Sequence, residues 1–224
     1  MNSLIEPDLR QIQEHVMLMG GEAEAAVERA MQALTIPDLE LARQVIADDD
    51  HIDALELAAD QLGIRVLALK TPGARDLRFV ISASKIATHL ERLGDHACNL
   101  ARAAIDLNRP PPVKLQSDLS YMARVARAML REALDAFASS DASAARAIID
   151  RDDEIDLLYD RLFQELLDQA TLDPNSAAQL TRLVLVAKNL EQIGDRAKDI
   201  CDEIVYLKEA SVIKHSRLVK EEDR

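Results

Sequence analysis

One short segment occurs twice in this chain, a hundred residues apart, and this duplication limits the fold more than any other feature. HLERLGDHACNL occupies residues 89–100, and NLEQIGDRAKDI occupies residues 189–200. Both copies keep a Leu-Glu pair, a Gly-Asp pair and an alanine at the same places. The chain is therefore expected to contain two copies of one structural unit.

A proline-rich segment separates the two copies. NRPPPVKLQSD, residues 108–118, contains three consecutive prolines, which a continuing helix does not accommodate. Each side of it divides into three long stretches with helical character. We place these at about residues 8–34, 38–70 and 74–107, and at about 115–139, 141–171 and 175–209. Asp38 and Asp141 are equivalent residues before the second stretch of each half, and Asp38 is an expected N-cap.

The alignment of the halves predicts the fold class. DDDHID, residues 48–53, aligns with RDDEID, residues 151–156, and the composition, with only 3% aromatic residues and no Trp, favours helices over sheets. Short connections make sequential helices neighbours. We therefore predict an all-α protein of two tandem, pseudo-symmetric, antiparallel three-helix bundles. The first comprises residues 1–109, and the second comprises residues 110–224 with a short polar C-terminal tail.

Charge and hydropathy exclude several classes of function. The net charge of −13 repels nucleic acid and anionic membranes, so we expect no nucleic-acid partner. No apolar run approaches the roughly 18 residues of a membrane-spanning helix, and the first residues do not resemble a signal peptide. We expect a cytoplasmic protein without membrane insertion. Cys98 and Cys201 lack metal-type spacing and are expected to be reduced, partly buried thiols.

Acidic residues recur on the predicted outer face of the last helix in each half. The helical periodicity directs Leu90, Leu93, Ala97 and Leu100 towards the core and the acids to the opposite side. The middle helices carry a matching column, in which Asp49 and Asp53 of the first half correspond to Asp152 and Asp156 of the second. If the middle and last helices are adjacent, the columns of each half converge into one carboxylate cluster.

Two interpretations of these columns compete. Acidic residues on a helix surface are usually only solvated, and Lys188 and Lys198 could neutralise part of the second copy. Like charges four residues apart cost a few tenths of a kcal/mol, however, and here this spacing recurs on four helices. The recurrence favours a cation site, since hard cations prefer oxygen ligands. An error of one residue in the register would substitute Asp50 or Asp153 for its neighbour. The histidines nearby, His51, His89 and His96, are expected to be surface or packing residues.

These motifs together resemble the PhoU family. LERLGD, LEQIGD, DDDHID, DRDDEID and PGARDLRF (residues 72–79) carry the resemblance, which covers about residues 8–209. It implies two three-helix bundles, each with a multinuclear metal site, often of iron or zinc, with magnesium, manganese or calcium as alternatives. By position, the implied first site is Asp49, Asp53, Glu91, Asp95 and Asn99, and the implied second site is Asp152, Asp156, Glu191, Asp195 and Asp199. Asn99 makes the first site less charged than the second.

The resemblance also implies a function. PhoU-like proteins are cytoplasmic negative regulators that restrain phosphate uptake and the phosphate-starvation response. They are understood to contact the ATPase of the phosphate transporter and a membrane sensor histidine kinase. The sequence has no Walker A loop, nucleophile constellation or DNA-reading module. We therefore expect a metal-binding regulatory adaptor rather than an enzyme, and a homo-oligomer, with a dimer favoured.

Other classes remain open at this point. Bridged metals on the acidic faces could activate water, as in a carboxylate-bridged, phosphatase-like metalloenzyme. The chain could also be a helical scaffold whose acids have no role, or a PhoU-like accessory protein of a different transporter. Arg75 and Arg78 oppose the dipole of the helix that they begin, and the sequence does not decide between a simple helix start and a contact with a partner.

Overall fold

The computed structural model describes residues 5–108 and 117–211, which are almost entirely helical, as the sequence predicts. The first half contains α1 (Glu6–Thr35), α2 (Leu39–Leu69) and α3 (Ala74–Leu107). The second half contains α4 (Ser117–Ser139), α5 (Ala142–Ile149), α6 (Asp152–Leu172) and α7 (Ala177–Glu209), with a 3-10 turn at Pro174–Ser176. The predicted boundary near residue 109 and most of the polar tail lie outside the described residues.

Each half is a bundle in which the third long helix packs on the other two. In the first half α1, α2 and α3 all contact one another, and in the second α7 contacts α4, α5 and α6. The predicted cap forms, since the Asp38 carboxylate accepts hydrogen bonds from the N–H groups of Glu40 and Leu41. Asp141 caps α5 in the same way. The inward column predicted for α3 is fully buried: Leu90, Leu93, Ala97 and Leu100 are all 0% exposed.

The predicted helix over residues 141–171 is wrong in one respect, because it is broken into α5 and α6. At the break, the N–H of Arg151 donates to the carbonyl of Ile148 rather than continuing the α-helical pattern. α6 then begins with three acids, Asp152, Asp153 and Glu154, in its first turn. Negative charge stabilises a helix N-terminus, so this sequence favours a new helix start where α2 continues without interruption.

The duplication is visible in an ion pair whose charges are exchanged between the halves. In the first half Arg29 of α1 contacts Asp48 of α2 at 2.6 Å. The equivalent residues of the second half are Glu132 of α4 and Arg151, which follows α5, and they contact each other at 2.5 Å. Both halves thus have an ion pair at this place between their first and second helical segments, but the positive and negative residues are exchanged.

The two halves share one hydrophobic core. α3 and α7 run antiparallel against each other, since Lys85 near the start of α3 contacts Glu203 near the end of α7, at 3.2 Å. α1 also packs on α4, and the ring of Phe79 stacks on that of Phe137 with centroids 6.2 Å apart. Among the described residues, no helix has the length and apolar character needed to cross a membrane.

Adjacent glycines in α1 give a test of this contact between halves. A Cβ on Gly20 would lie 2.3 Å from the Cδ2 of buried Leu134, whereas a Cβ on Gly21 meets nothing within 4 Å. We expect Gly21→Ala to stabilise the protein by about 0.5–1 kcal/mol, because alanine favours the helix. We expect Gly20→Ala to be at least about 1 kcal/mol less stable than Gly21→Ala, because the added methyl overpacks the α1–α4 contact. Urea unfolding measures both, and equal gains would contradict the packing described here.

Candidate metal centre

A glycine in each copy of the repeated motif allows the middle helix of that half to pack closely against the last helix. A Cβ on Gly94 would lie 2.6 Å from Oδ1 of Asp49 and 3.1 Å from Cδ1 of Ile52. A Cβ on Gly194 would lie 2.9 Å from Cδ1 of Ile155. Glycine within a helix costs about 0.5–1 kcal/mol relative to alanine. The repeated glycine is therefore explained by close packing of α2 on α3 and of the α6 start on α7.

Three carboxylates converge where α6 meets α7. One oxygen from each of Asp156, Glu191 and Asp195 lies within 4.8 Å of the other two. Asp156 is exposed, and the other two side chains are partly buried. This spacing allows the three oxygens to bind one cation, and we call these residues with Asp152 the second cluster.

Asp152 departs from its predicted orientation. The sequence predicts an outward side chain, but Asp152 is only 3% exposed. The helical periodicity gave the direction of this side chain on its own helix but not the close approach of α7, whose Lys198 pairs with it. One oxygen of Asp152 pairs with Lys198, while the other, Oδ1, is buried and has no hydrogen-bond partner. A buried acceptor of this kind is costly unless a ligand satisfies it.

Burial and mutual repulsion change the protonation of the carboxylates in the second cluster. Burial, together with the charges of Glu191, Asp152 and Asp156, raises the pKa of Asp195 to about 6. Burial and the charges of Asp152 and Glu191 also raise the pKa of Asp156. Without a bound cation, the ionised forms of these groups are therefore disfavoured in the folded protein.

The equivalent acids of the first half lie near one another but more loosely. Burial raises the pKa of Asp49, and the charges of Asp53 and Asp95 raise it further. Burial and the charge of Asp95 likewise raise the pKa of Glu91. Within residues 5–108, however, no three of these carboxylates bring oxygens as close together as the second cluster does. We call Asp49, Asp53, Glu91 and Asp95 the first cluster.

Two ammonium groups distinguish the second cluster from the first. Lys198 pairs with Asp152, whereas the equivalent residue of the first half, Cys98, is a buried thiol that hydrogen bonds to Asp49. Burial and the charge of Asp49 raise the pKa of that thiol to about 12, so it stays protonated.

The second ammonium group belongs to Lys188, on the same helix as Lys198. The ammonium group of Lys188 lies 2.6 Å from Oε2 of Glu191, as an ion pair rather than a well-directed hydrogen bond. The same group lies over the ring of Tyr159. In the first half, Thr88 is equivalent to Lys188 and Glu56 is equivalent to Tyr159. Thr88 donates a hydrogen bond to Glu56 at 3.0 Å. Sequence reasoning did not assign Cys98 or Thr88 to the cluster. Comparing the two repeats position by position is the signal that could have found both.

Two predicted ligands lie at the contact between the halves. Asn99 donates a hydrogen bond to Oδ1 of Asn189 at 3.3 Å, so it contacts α7. Asp199 lies 2.8 Å from Arg196 and 3.5 Å from Nδ1 of His89 on α3. Since residues 89 and 189 are equivalent, as are 99 and 199, both contacts are versions of one repeated interaction. Neither side chain belongs to the three-carboxylate group formed by α6 and α7.

None of the three histidines His51, His89 and His96 belongs to the three-carboxylate group formed by α6 and α7. His89 faces Asp199, and Nδ1 of His96 lies 3.1 Å from Oδ1 of Asn189. Burial lowers the pKa of His96, which favours its neutral form. His51 is exposed on α2.

The donor set of the second cluster fits a hard cation. All of its potential ligand atoms are carboxylate oxygens, and Oδ1 of Asp152 lacks a partner although it is buried. A bound cation would have to coexist with Lys188 and Lys198 or displace them. Asp53, Glu91 and Asp95 are the equivalent carboxylates of the first half.

The repulsion within the second cluster predicts a pH dependence of stability in the metal-free protein. Asp195 has a folded pKa of about 6, above its value in an unfolded chain, so the folded state takes up a proton first as the pH falls. We therefore expect the free energy of unfolding to rise as the pH falls from about 7 to about 5. In chelator at pH 7, we expect Asp195→Asn to be more stable than wild type by about 0.5–1 kcal/mol, since like charges cost a few tenths each. This difference shrinks as the pH falls below 6.

The control for this experiment is Asp160→Asn. Asp160 is an exposed acid on α6, the helix that carries Asp156, and lies outside the second cluster. Its substitution is expected to change stability equally at all pH values in this range. A large loss of stability in Asp195→Asn at pH 7 would show that Asp195 has a structural role instead.

Comparison with known proteins agrees with this duplicated architecture. The model of the PhoU domain matches the chain twice, over residues 16–104 and 119–204. A phosphate-specific transport system accessory protein PhoU homolog from Clostridium acetobutylicum is 35% identical over 205 residues, which is 91% of this chain and 94% of that protein. The homolog of the same name from Aquifex aeolicus is 34% identical over 211 residues, 94% of this chain and 96% of that protein.

Solved structures give the same result for the fold. The crystal structure of PhoU from Pseudomonas aeruginosa superposes with a TM-score of 0.88 at 34% identity, covering 92% of this chain and all of that one. The phosphate transport system regulatory protein PhoU from Streptococcus pneumoniae also gives a TM-score of 0.88, at 29% identity, covering 93% of this chain and 99% of that one. On its sequence, its duplicated helical bundles and these matches, the chain belongs to the PhoU family.

Proposed function

We propose that this protein is an accessory protein of a phosphate-specific transport system and a negative regulator of phosphate uptake and phosphate-starvation signalling. The observation that carries the proposal is the match over the whole family fold, at 34–37% identity to relatives that are named for this role. In this role the chain acts in the cytoplasm as an adaptor that contacts the transporter ATPase and a sensor histidine kinase.

A metal-binding role forms the second part of the proposal. The convergence of Asp156, Glu191 and Asp195 and the unpartnered oxygen of Asp152 support it. The donor set suits iron, manganese, magnesium or calcium, with zinc also expected from the resemblance. A bound cation would neutralise the crowded carboxylates and link the middle helix of each half to the last.

The proposed role is not enzymatic, and the surface of the second cluster supports this. Asp156 is exposed, and the three-carboxylate group contains no histidine. A general acid or base for turnover requires a positioned group within reach of a bound substrate. The relatives are likewise named as accessory proteins rather than enzymes.

A homodimer is also part of the proposal. Ile64 of α2 and Leu167 of α6 are equivalent residues, and they are 67% and 47% exposed, respectively. Exposed apolar side chains at matching places on both halves suit a contact between two copies of the chain. Light scattering of the purified protein measures the state directly.

Deletion of the gene tests the regulatory role. In the organism that encodes this chain, we expect its loss to switch on a reporter of phosphate starvation in phosphate-rich medium. Expression of the wild-type chain is expected to restore repression. A reporter that stays silent after deletion would contradict the role as a negative regulator of phosphate-starvation signalling.

Metal binding is tested separately with a matched pair of triple variants. The variant D156N/E191Q/D195N removes charge from the second cluster, and D53N/E91Q/D95N removes it from the equivalent positions of the first. In chelator we expect both variants to be as stable as wild type or slightly more stable. With excess metal we expect wild type to gain about 2.7 kcal/mol at a hundredfold excess over Kd, because binding to the folded state stabilises by mass action.

Elemental analysis and thermal unfolding read out this experiment. Each triple variant is expected to lose the ions of its own half, and the combined variant to lose all metal-dependent stabilisation. Wild-type protein that neither retains metal after gentle purification nor gains stability on titration would rule out the metal-binding part. It would leave the regulatory part standing.

A further inference from the structure

A basic cleft lies at one end of the molecule, away from both carboxylate clusters. It has a volume of about 600 Å³ and is formed by the start of α1, the start of α3 and the end of α7. Arg75 and Arg78, for which the sequence left two interpretations open, both line it. They stand several helical turns from Glu91 and Asp95 on α3, so the cleft and the first cluster are distinct sites.

The charges in the cleft oppose those of the rest of the protein. The chain as a whole carries a net charge of −13. The charged lining residues of the cleft are four cations and two acids: Arg10, Arg75, Arg78, Lys208, Glu6 and Asp76. The cleft is therefore a local positive region on an acidic protein, with an excess charge that matches a dianion.

The four cations are available to a ligand. In residues 5–108 and 117–211, none of them forms an ion pair or a side-chain hydrogen bond. Several other cations of this protein are paired, such as Arg146 with Glu209 at 2.6 Å. In addition, the Nε of Arg78 is buried and has no hydrogen-bond partner. A buried donor that is left unsatisfied costs free energy, and the described residues of the protein supply no partner for this part of the guanidinium.

From these observations we propose that the cleft binds a phosphoryl oxyanion. The planar fork of an arginine matches the oxygens of a phosphoryl group, and three arginines from two helices surround the same space. Glu6 and Asp76 can accept a hydrogen bond from a protonated oxygen, which a phosphoryl group carries part of the time near neutral pH and sulfate does not. The source is either inorganic phosphate or a phosphorylated small molecule such as a nucleotide. The charge argument does not depend on the proposed regulatory role.

Calorimetric titration of the full-length protein tests the site. Chelator is present throughout, so that phosphate cannot bind through metal in the carboxylate clusters, and the ionic strength is held constant. Phosphate, ADP, sulfate and a polyglutamate peptide are titrated separately. We expect saturable binding of phosphate or ADP at one site per chain, with weaker binding of sulfate.

Charge-neutral variants locate that binding. Arg10 and Arg75 are exposed, so R10Q/R75Q is expected to fold normally and to weaken binding by about tenfold or more. The matched control, R65Q/R161Q, removes two exposed cations from α2 and α6 outside the cleft and is expected to bind like wild type. Circular dichroism confirms that both variants are folded.

The arms of the experiment separate the sources and the alternatives. Binding of phosphate assigns the site to the free ion, and binding of ADP alone assigns it to a phosphorylated molecule. The proposal is overturned if wild type binds neither at millimolar concentration, or if both double variants weaken binding equally. It is also overturned if sulfate binds as tightly as phosphate, or if only the polyglutamate peptide binds, since the cleft would then be selective for carboxylates.

Discussion

The antiparallel contact between α3 and α7 holds the molecule together, and the rest of the structure depends on it. His89 of α3 contacts Asp199 of α7. The equivalent residues are Asn189 of α7 and Asn99 of α3, and they contact each other. The repeated motif therefore has two faces. Its glutamate and aspartate face the middle helix of their own half, whereas the residue eight positions after the glutamate faces the other half. One sequence motif thus serves both the carboxylate cluster and the contact between halves.

The two clusters handle the same electrostatic problem differently. In the second half Lys198 and Lys188 lie against Asp152 and Glu191, and there the remaining oxygens come within 4.8 Å of one another. In the first half the equivalent residues are neutral, and the acids stay further apart. The first half meets the repulsion with a guanidinium instead, since Arg92 lies 3.5 Å from Glu91 and 4.0 Å from Asp95.

The sequence predicted those features that follow from helical periodicity and from internal duplication. The buried column of α3 and the Asp38 cap both belong to this class. The burial of Asp152 was not predictable from a wheel, because a wheel does not show how closely α7 packs on the start of α6. The placement of Asp199 against His89 was missed for the same reason, since periodicity gives the face of a residue but not the helix that covers it.

The basic cleft and the carboxylate clusters act on different contacts of the fold. The cleft is lined by Arg10 and Arg78 of the first half and by Lys208 of the second. A ligand bound there would therefore contact both halves. A cation in either cluster instead links helices within one half, such as α6 and α7 through Asp156 and Asp195. A ligand stabilises only the arrangement to which it binds. An anion in the cleft would therefore strengthen the docking of the two bundles, whereas metal would strengthen each bundle separately. The same chain can in this way respond to two ligands of opposite charge through two separate parts of its structure.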